Sequence, residues 1–310
     1  MSGGVRISIV TVVLNRASRV ARALDSVAAQ DHPNVQHVVI DGGSTDGTLE
    51  IIRARANLTW ISEPDRNLYD AWNKGLALCD GEVIGIVNSD DALKPGALAE
   101  VARLAAAHPE ADMITGAAEV ATEFEGVAAS IRLIDAAELL ALREANLIGG
   151  IPLTNARFLR RRLFERVARY DIRFPVVADS DFLMRCLVAG LVNVATPVPL
   201  YRYYAHEGSL TFSEKEGGSI RTARSLMAMT ESRLPETAPG PERTAYRRWH
   251  AWNVTYLALL AARQGAWGEA LRVGLGQLGR DPLYPARALP LIWRHWRETP
   301  LRRGRIVPDG

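Results

Sequence analysis

Apolar β-branched residues run from Ile7 to Val13 with Thr11 set among them, and after Asn15-Arg16 the apolar positions fall three and four apart, at Val20, Leu24, Val27 and Ala28. The first pattern predicts a buried strand and the second an amphipathic helix. The alternation repeats. A strand over His37–Ile40 ends at Asp41, and a helix follows from Thr48 to Arg55. A short strand over Leu58–Ser62 ends at Glu63-Pro64-Asp65, with a helix over Tyr69–Leu78 behind it. Val83-Ile84-Gly85-Ile86-Val87 is a fourth apolar run, and it stops abruptly at Asn88-Ser89-Asp90-Asp91. Strands covered on both faces lose polar alternation, so these runs belong in the middle of a layered fold. Strand-then-helix units in this number predict a doubly wound, mainly parallel α/β sheet with right-handed crossovers.

Beyond Asp91 the pattern predicts a helix from Pro95 to His108, a strand over Asp112–Gly116, and a hairpin of Ala118–Phe124 with Val127–Leu133 across Glu125-Gly126. A helix over Asp135–Glu144 comes next, and another opens with Asp179 and Asp181 in its first turn. Ile220–Arg233 reads as helix, Leu234–Pro241 as a Pro-containing linker, and Arg243–Arg263 as a long amphipathic helix.

Composition changes this picture little. At 310 residues the chain exceeds a single small domain, and 48% hydrophobic with 23% charged residues is ordinary for a folded protein. A net charge of +2 excludes the strongly basic surface of a nucleic-acid binder. Two cysteines, Cys79 and Cys186, make neither a disulfide framework nor a zinc site and suit a reducing cytoplasm. Met1-Ser2-Gly3-Gly4 passes straight into strand pattern without a secretory leader, and no apolar stretch approaches a membrane span.

The candidate chemistry lies at strand ends. Ligands of open α/β sheets bind beyond the carboxyl ends of the strands, and Asp41, Asp65, Asp90 and Asp91 all fall there. Adjacent carboxylates stay ionised most easily with a cation between them and a second anion, so Asp90-Asp91 reads as a metal and diphosphate site; a capped polar turn is the plainer reading. Neither G-x-G-x-x-G nor G-x-x-x-x-G-K-[ST] occurs, so phosphate is not held in the dinucleotide or P-loop manner.

Five elements in order then carry a resemblance. These are Ile9-Val10-Thr11 through Asn15, Ser26 with Gln30, Val39-Ile40-Asp41-Gly42-Gly43-Ser44-Thr45-Asp46-Gly47-Thr48, Asn73-Lys74-Gly75, and Gly81-Glu82 leading to Asn88-Ser89-Asp90-Asp91. The chain resembles the inverting glycosyltransferases of family 2, and Leu68–Gly75 is similar to bacterial members acting on exopolysaccharides or glycolipids. The resemblance implies a GT-A fold, a Rossmann-like mixed sheet flanked by helices. It also implies a glycosyltransferase domain over residues 1–220, with a nucleotide-sugar half at about 1–117 and an acceptor half at about 118–220. A helical extension over 221–310 would follow.

On matching positions, the resemblance implies that Thr11 and Asn15 lie against the nucleotide, Asp41 meets the edge of the base, and Asp65 helps form that pocket. Asp90 would face the ribose and sugar, with Asp91 and Asp90 holding a divalent cation, Mg2+ or Mn2+, on the diphosphate. Asn88 replaces the first acid of the usual Asp-x-Asp, and Trp72 stands where relatives carry Arg, leaving Lys74 as a cation for phosphate. Asp179 matches the catalytic base, although Ala178 replaces the preceding glutamate, and Asp181 reads as a cap or brace. His206 matches a metal or diphosphate contact. Thr154-Asn155 stands where relatives carry His-Gln. The expected partners are a nucleoside-diphosphate sugar and a glycan or lipid-linked acceptor.

The alternative is a nucleotide-sugar-binding scaffold of the same fold with little turnover, which Asn88 and Ala178 favour. A nucleotidyltransferase would need a glycine- and lysine-rich first loop, and this chain has none. From Pro241 to Gly310 there are 12 Lys/Arg against 5 Asp/Glu, interspersed with Trp249, Trp252, Trp267, Trp293 and Trp296. Basic helices with Trp suit either a cap packed on the catalytic domain or a peripheral contact with an anionic membrane at the cytoplasmic face.

Overall fold

The computed structural model describes residues 4–124, 127–148, 153–205, 218–302 and 305–307. Four parallel strands form its first half: β1 (Ile7–Val13), β2 (Val35–Asp41), β3 (Leu58–Ser62) and β4 (Val83–Ile86), in the spatial order β4-β1-β2-β3. Helices α1 (Val20–Ala28), α2 (Thr48–Arg53) and α3 (Leu68–Leu78) make the crossovers, as the alternating pattern predicts.

The second half is mixed. β5 (Ala92–Leu93) and α4 (Ala97–Ala107) lead into β6 (Met113–Phe124), which pairs antiparallel with β7 (Val127–Ile134). The expected strand over 112–116 and the first arm of the hairpin are thus one strand, and the expected turn at Glu125-Gly126 lies outside the described residues. Two short helices, α5 (Ala137–Leu140) and α6 (Glu144–Leu147), replace the single helix expected over 135–144. β8 (Arg157–Arg160) runs antiparallel to β4 and β6. After α7 (Leu163–Val167) and α8 (Ala178–Val188), β9 (Asn193–Ala205) lies parallel to β6 and antiparallel to β5. Strand β9 escaped the sequence pattern because much of it is half-buried or exposed. The chain ends with α9 (Gly218–Glu236), α10 (Pro241–Arg263), α11 (Trp267–Arg280), α12 (Tyr284–Arg302) and β10 (Arg305–Val307) against β7.

Alternate side chains of β1 point to opposite faces, as strand geometry requires. Ile7 and Ile9 pack with α1 and α4, whereas Val10 and Val12 pack with α3 and α8. The α3 face also receives Met229, Tyr246, Trp249 and Trp252 from α9 and α10, so these helices share the core of the sheet. Cys79 and Cys186 are free buried thiols.

Close approach of α3 to β1 depends on Gly75, where an added Cβ would lie 2.3 Å from Val10 Cγ1. Gly75→Ala should lower the unfolding free energy by about 1–3 kcal/mol, the usual cost of overpacking. Urea unfolding with a lowered midpoint and unchanged slope would show it; an unchanged midpoint would mean that α3 can slide away from β1 without cost.

Candidate active site

The loops after β1 and β2 are laced into one rim. Ser44 Oγ accepts from Asn15 N at 2.8 Å, and Asn15 Oδ1 accepts from Thr45 N at 2.9 Å. Asp46 accepts from Ala17 N, and Thr48 Oγ1 accepts from Arg16 N. Gly43 and Gly47 carry positive φ within this turn, which a side chain would resist. Asn15 is therefore exposed on the rim. Asp41 lies beneath it, buried, with its carboxylate accepting from Gly43 N, Ser44 N and Ser44 Oγ and from Ser62 Oγ at 2.6 Å. These bonds fix the turn, and a base could reach Asp41 only by displacing a serine hydroxyl.

Two expected nucleotide residues are placed differently from the sequence reading. Thr11 is fully buried, with Oγ1 3.0 Å from His37 Nε2, and offers no surface to a ligand. Burial pushes the His37 imidazole down to about 4, so the pair is neutral. Lys74 is spent on Asp65 at 2.7 Å, Glu63 at 2.9 Å and the Pro64 carbonyl, at the end of β3. Its charge braces the Asp65 loop. Trp72 is buried between Tyr69 and Tyr170, as part of the core rather than the rim.

The end of β4 is held by partners distant in sequence. Ser26 Oγ accepts from Leu93 N, while Gln30 binds Lys94 O and Leu98 N, so α1 clamps the segment just past Asp91. Asp91 is buried. It accepts from Tyr201 Oη at 2.8 Å, Tyr204 N at 2.9 Å and Asn88 Nδ2 at 3.3 Å. Burial first, and then the neighbouring Asp90 charge, push its carboxyl well above the usual carboxylate range. Asp90 keeps partial exposure, and its backbone carbonyl accepts from Arg22 Nη2 at 2.7 Å. The Arg22 guanidinium also stacks on Tyr204, 3.5 Å from the ring centroid, so a cation does stand beside this strand end. Arg22 lies one helical turn after Arg19 in an ordinary amphipathic pattern, and nothing in the sequence singles it out.

The donor atoms at this strand end suit a divalent cation. Asn88 Oδ1 is buried and has no hydrogen-bond partner among the described residues. An oxygen left so is costly unless something fills its lone pairs. Asn88, Asp90 and Asp91 offer only oxygen donors, the preference of Mg2+ and Mn2+. Among the described residues no group of three or more His, Cys, Asp or Glu could hold a metal by itself. The set fits a cation that takes part of its shell from a ligand's phosphate oxygens and water. His206 lies outside the described residues.

Asp179 opens α8. Its Oδ1 accepts from Tyr69 Oη and Ser180 N, both at 2.8 Å, and its Oδ2 accepts from Thr154 Oγ1 at 3.0 Å. Burial pushes its carboxyl up, against the pull of these donors. Leu153, in a left-handed conformation at φ 48°, turns the chain into Thr154 and Asn155. Asn155 Nδ2 donates to Tyr201 Oη at 3.0 Å, and the same phenol donates to Asp91. Consecutive residues thus join Asp179 to Asp91, across the two halves of the sheet. Tyr69 and Tyr201 were not legible as site residues, because each meets its carboxylate over a separation of 110 residues; Thr154 stood out only as the replacement of a His.

Residues 8–167 match the family model described as glycosyl transferase family 2. The chain belongs to this family. A PGL/p-HBAD biosynthesis glycosyltransferase from Mycobacterium bovis (strain BCG / Pasteur 1173P2) is 33% identical over 186 residues, which cover 58% of this chain and 68% of that protein. An uncharacterized glycosyltransferase from Mycobacterium tuberculosis (strain ATCC 25618 / H37Rv) is 26% identical over 190 residues, 60% of this chain and 70% of that one. Among solved structures, S. aureus TarS 1-349 in complex with UDP-GlcNAc superposes with a TM-score of 0.61 at 17% identity, covering 95% of this chain and 91% of that chain. A mannosyltransferase from Pyrobaculum calidifontis in complex with GDP-Man and Mn2+ gives 0.60 at 18%, covering 96% and 87%. This family 2 glycosyltransferase is therefore a transferase enzyme with the GT-A fold.

Proposed function

We propose that this enzyme is a metal-dependent inverting glycosyltransferase, moving a sugar from a nucleoside-diphosphate sugar to a hydroxyl of a glycan or glycolipid in cell-surface polysaccharide or glycolipid synthesis. One observation carries the reading: the hydrogen-bonded path from Asp91 through Tyr201, Asn155 and the adjacent Thr154 to Asp179. It holds a carboxylate suited to proton removal in fixed relation to the acidic strand end where a diphosphate would lie. Structural relatives solved with UDP-GlcNAc and with GDP-Man and Mn2+ support a donor of this class.

Asn88, Asp90 and Asp91 would hold the cation, which when bound would offset charge on the departing diphosphate. The chain's own groups do the rest. Asp179 takes the proton from the acceptor hydroxyl, whose oxygen bonds to the anomeric carbon as the bond from that carbon to the diphosphate oxygen breaks. Attack from the face opposite the leaving group inverts the configuration. Arg22 adds positive charge at the same strand end, and Asn15 lines the nucleotide rim. A lipid-linked acceptor would be met at the inner face of the cell membrane; no helix among the described residues is long and apolar enough to cross one.

Asn88 favours the scaffold reading less than its identity suggests, since its partnerless oxygen is suited to a ligand. The test is release of nucleoside diphosphate from a panel of nucleotide sugars, with and without Mn2+ or Mg2+. Asn88→Ala should raise the cation concentration for half-maximal rate by about tenfold or more, the scale for groups around a bound ion. With the matching nucleoside diphosphate at 100 times its dissociation constant and Mn2+ present, stability should rise by about 2.7 kcal/mol. Release that ignores added cation and survives Asp90→Ala and Asp179→Ala would overturn the proposal.

A further inference from the structure

Helix α11 has no buried residue along its length. Trp267, Leu271, Leu275 and Leu278 recur on it at four-, four- and three-residue spacing, so they form one stripe, and all four are exposed, Trp267 at 65%. Its other side lies on α10, where Gln277 Oε1 meets His250 Nε2 at 3.1 Å. Helix α12 repeats the arrangement. Ala288 and Leu291 turn inward, while Leu289 and Trp293, one turn apart, face outward, Trp293 at 66% exposure. Large apolar side chains left exposed in a row on a folded protein mark an interaction site.

The tryptophans of this region divide sharply. Trp249 and Trp252 are buried in the shared core, whereas Trp267 and Trp293 are not. The first pair answers the expectation of a packed cap, and the second pair needs another partner. The surrounding charge says which. Residues 241–310 carry 12 Lys/Arg against 5 Asp/Glu. Glu269 is committed to Arg224 and Asp281 to Arg287, while Arg248, Arg280 and Arg305 pair with Glu144, Glu231 and Asp135, which leaves the span basic. Arg272 and Arg294 are exposed on the same helices, and the Arg297 guanidinium lies 4.9 Å from the Trp293 ring centroid. A second copy on this face would set two basic surfaces against each other, which is unfavourable. An anionic bilayer offers apolar depth for Leu and Trp and charge for Arg at once.

We infer that the outer faces of α11 and α12 form a docking surface for an anionic membrane. The inference deepens the proposed function and rests on its lipid-linked acceptor for a purpose. The docking helices pack on α10, which in turn touches the helix that carries Asp179. Asp181, two residues from Asp179, is gripped by Arg233 of α9 and Tyr246 of α10.

The test is flotation of the full chain with vesicles of phosphatidylcholine alone and of phosphatidylcholine with an equal part of phosphatidylglycerol. Binding to the anionic vesicles should be at least about tenfold tighter and should weaken with added salt. The double variant Leu271→Ser/Leu275→Ser should lose about tenfold or more of that binding, with unchanged thermal unfolding and unchanged nucleoside diphosphate release. Equal flotation with both vesicle types, or of variant and parent, would overturn the inference. So would a dimer in sedimentation that the double variant abolishes. Flotation requires no sugar transfer, so docking and the transferase reading can fail separately.

Discussion

Asp179→Asn is expected to lower sugar transfer by about 10²- to 10⁴-fold, the usual contribution of a positioned general base. Nucleoside diphosphate binding should persist, because Asp179 touches Tyr69, Thr154 and Ser180 and none of the rim residues. The amide preserves shape and can still meet these neighbours, so loss of rate with retained binding isolates the proton step. The pH profile supplies the second reading. A carboxylate base works only when ionised, and burial raises the Asp179 carboxyl, so the rate should fall on acidification through a limb lying above the ordinary carboxylate range. Tyr69 donates to the charged form and so holds that limb down. Tyr69→Phe should move the limb to higher pH and leave most of the rate at alkaline pH. A lowered plateau with no shift of the limb would make Tyr69 part of the packing only, where its ring already meets Trp72 and Tyr170.

Much of this architecture is legible in the sequence, and the reason is local. β1, β2 and β4 lie in the interior of a layered sheet, so each is an apolar run, and β1, β2 and β3 are each followed by the helix that must cross back. Strand ends are equally legible, and Asp41, Asp65, Asp90 and Asp91 do fall there. What a carboxylate does at a strand end depends on donors elsewhere in the chain. Asp41 is occupied by Ser44 and Ser62, Asp65 by Lys74, and Asp91 by Tyr201 and Tyr204 of a strand that the pattern did not show. Thr11 shows the same dependence: a hydroxyl within an apolar run can be paired across the sheet, here with His37, as easily as it can face a ligand. The Trp residues of the C-terminal helices illustrate the same limit, since identical residue types in one amphipathic pattern split between core and surface.

Arg233→Met should be the most destabilising single change at the junction of sheet and C-terminal helices, at about 3–5 kcal/mol, the cost of breaking a buried ion pair by removing one partner. Asp181 is fully buried, and Arg233 grips it with two bonds of 2.8 and 2.7 Å while also reaching Asp171 at 2.9 Å. Arg185 at 3.0 Å and Tyr246 at 2.9 Å would remain, so the lower end of that range is the better expectation. Urea unfolding measures the loss. Adding Asp181→Leu to Arg233→Met should return part of it, because the penalty arises from a buried charge left with too few partners rather than from a missing attraction; additive losses would refute that account. The same geometry predicts a catalytic consequence. Asp181 and Asp179 share the first turn of α8, so loosening Arg233 should lower kcat with little change in the apparent affinity for nucleotide sugar. An unchanged kcat in a destabilised variant would show that the helical cap stabilises α8 without positioning its base.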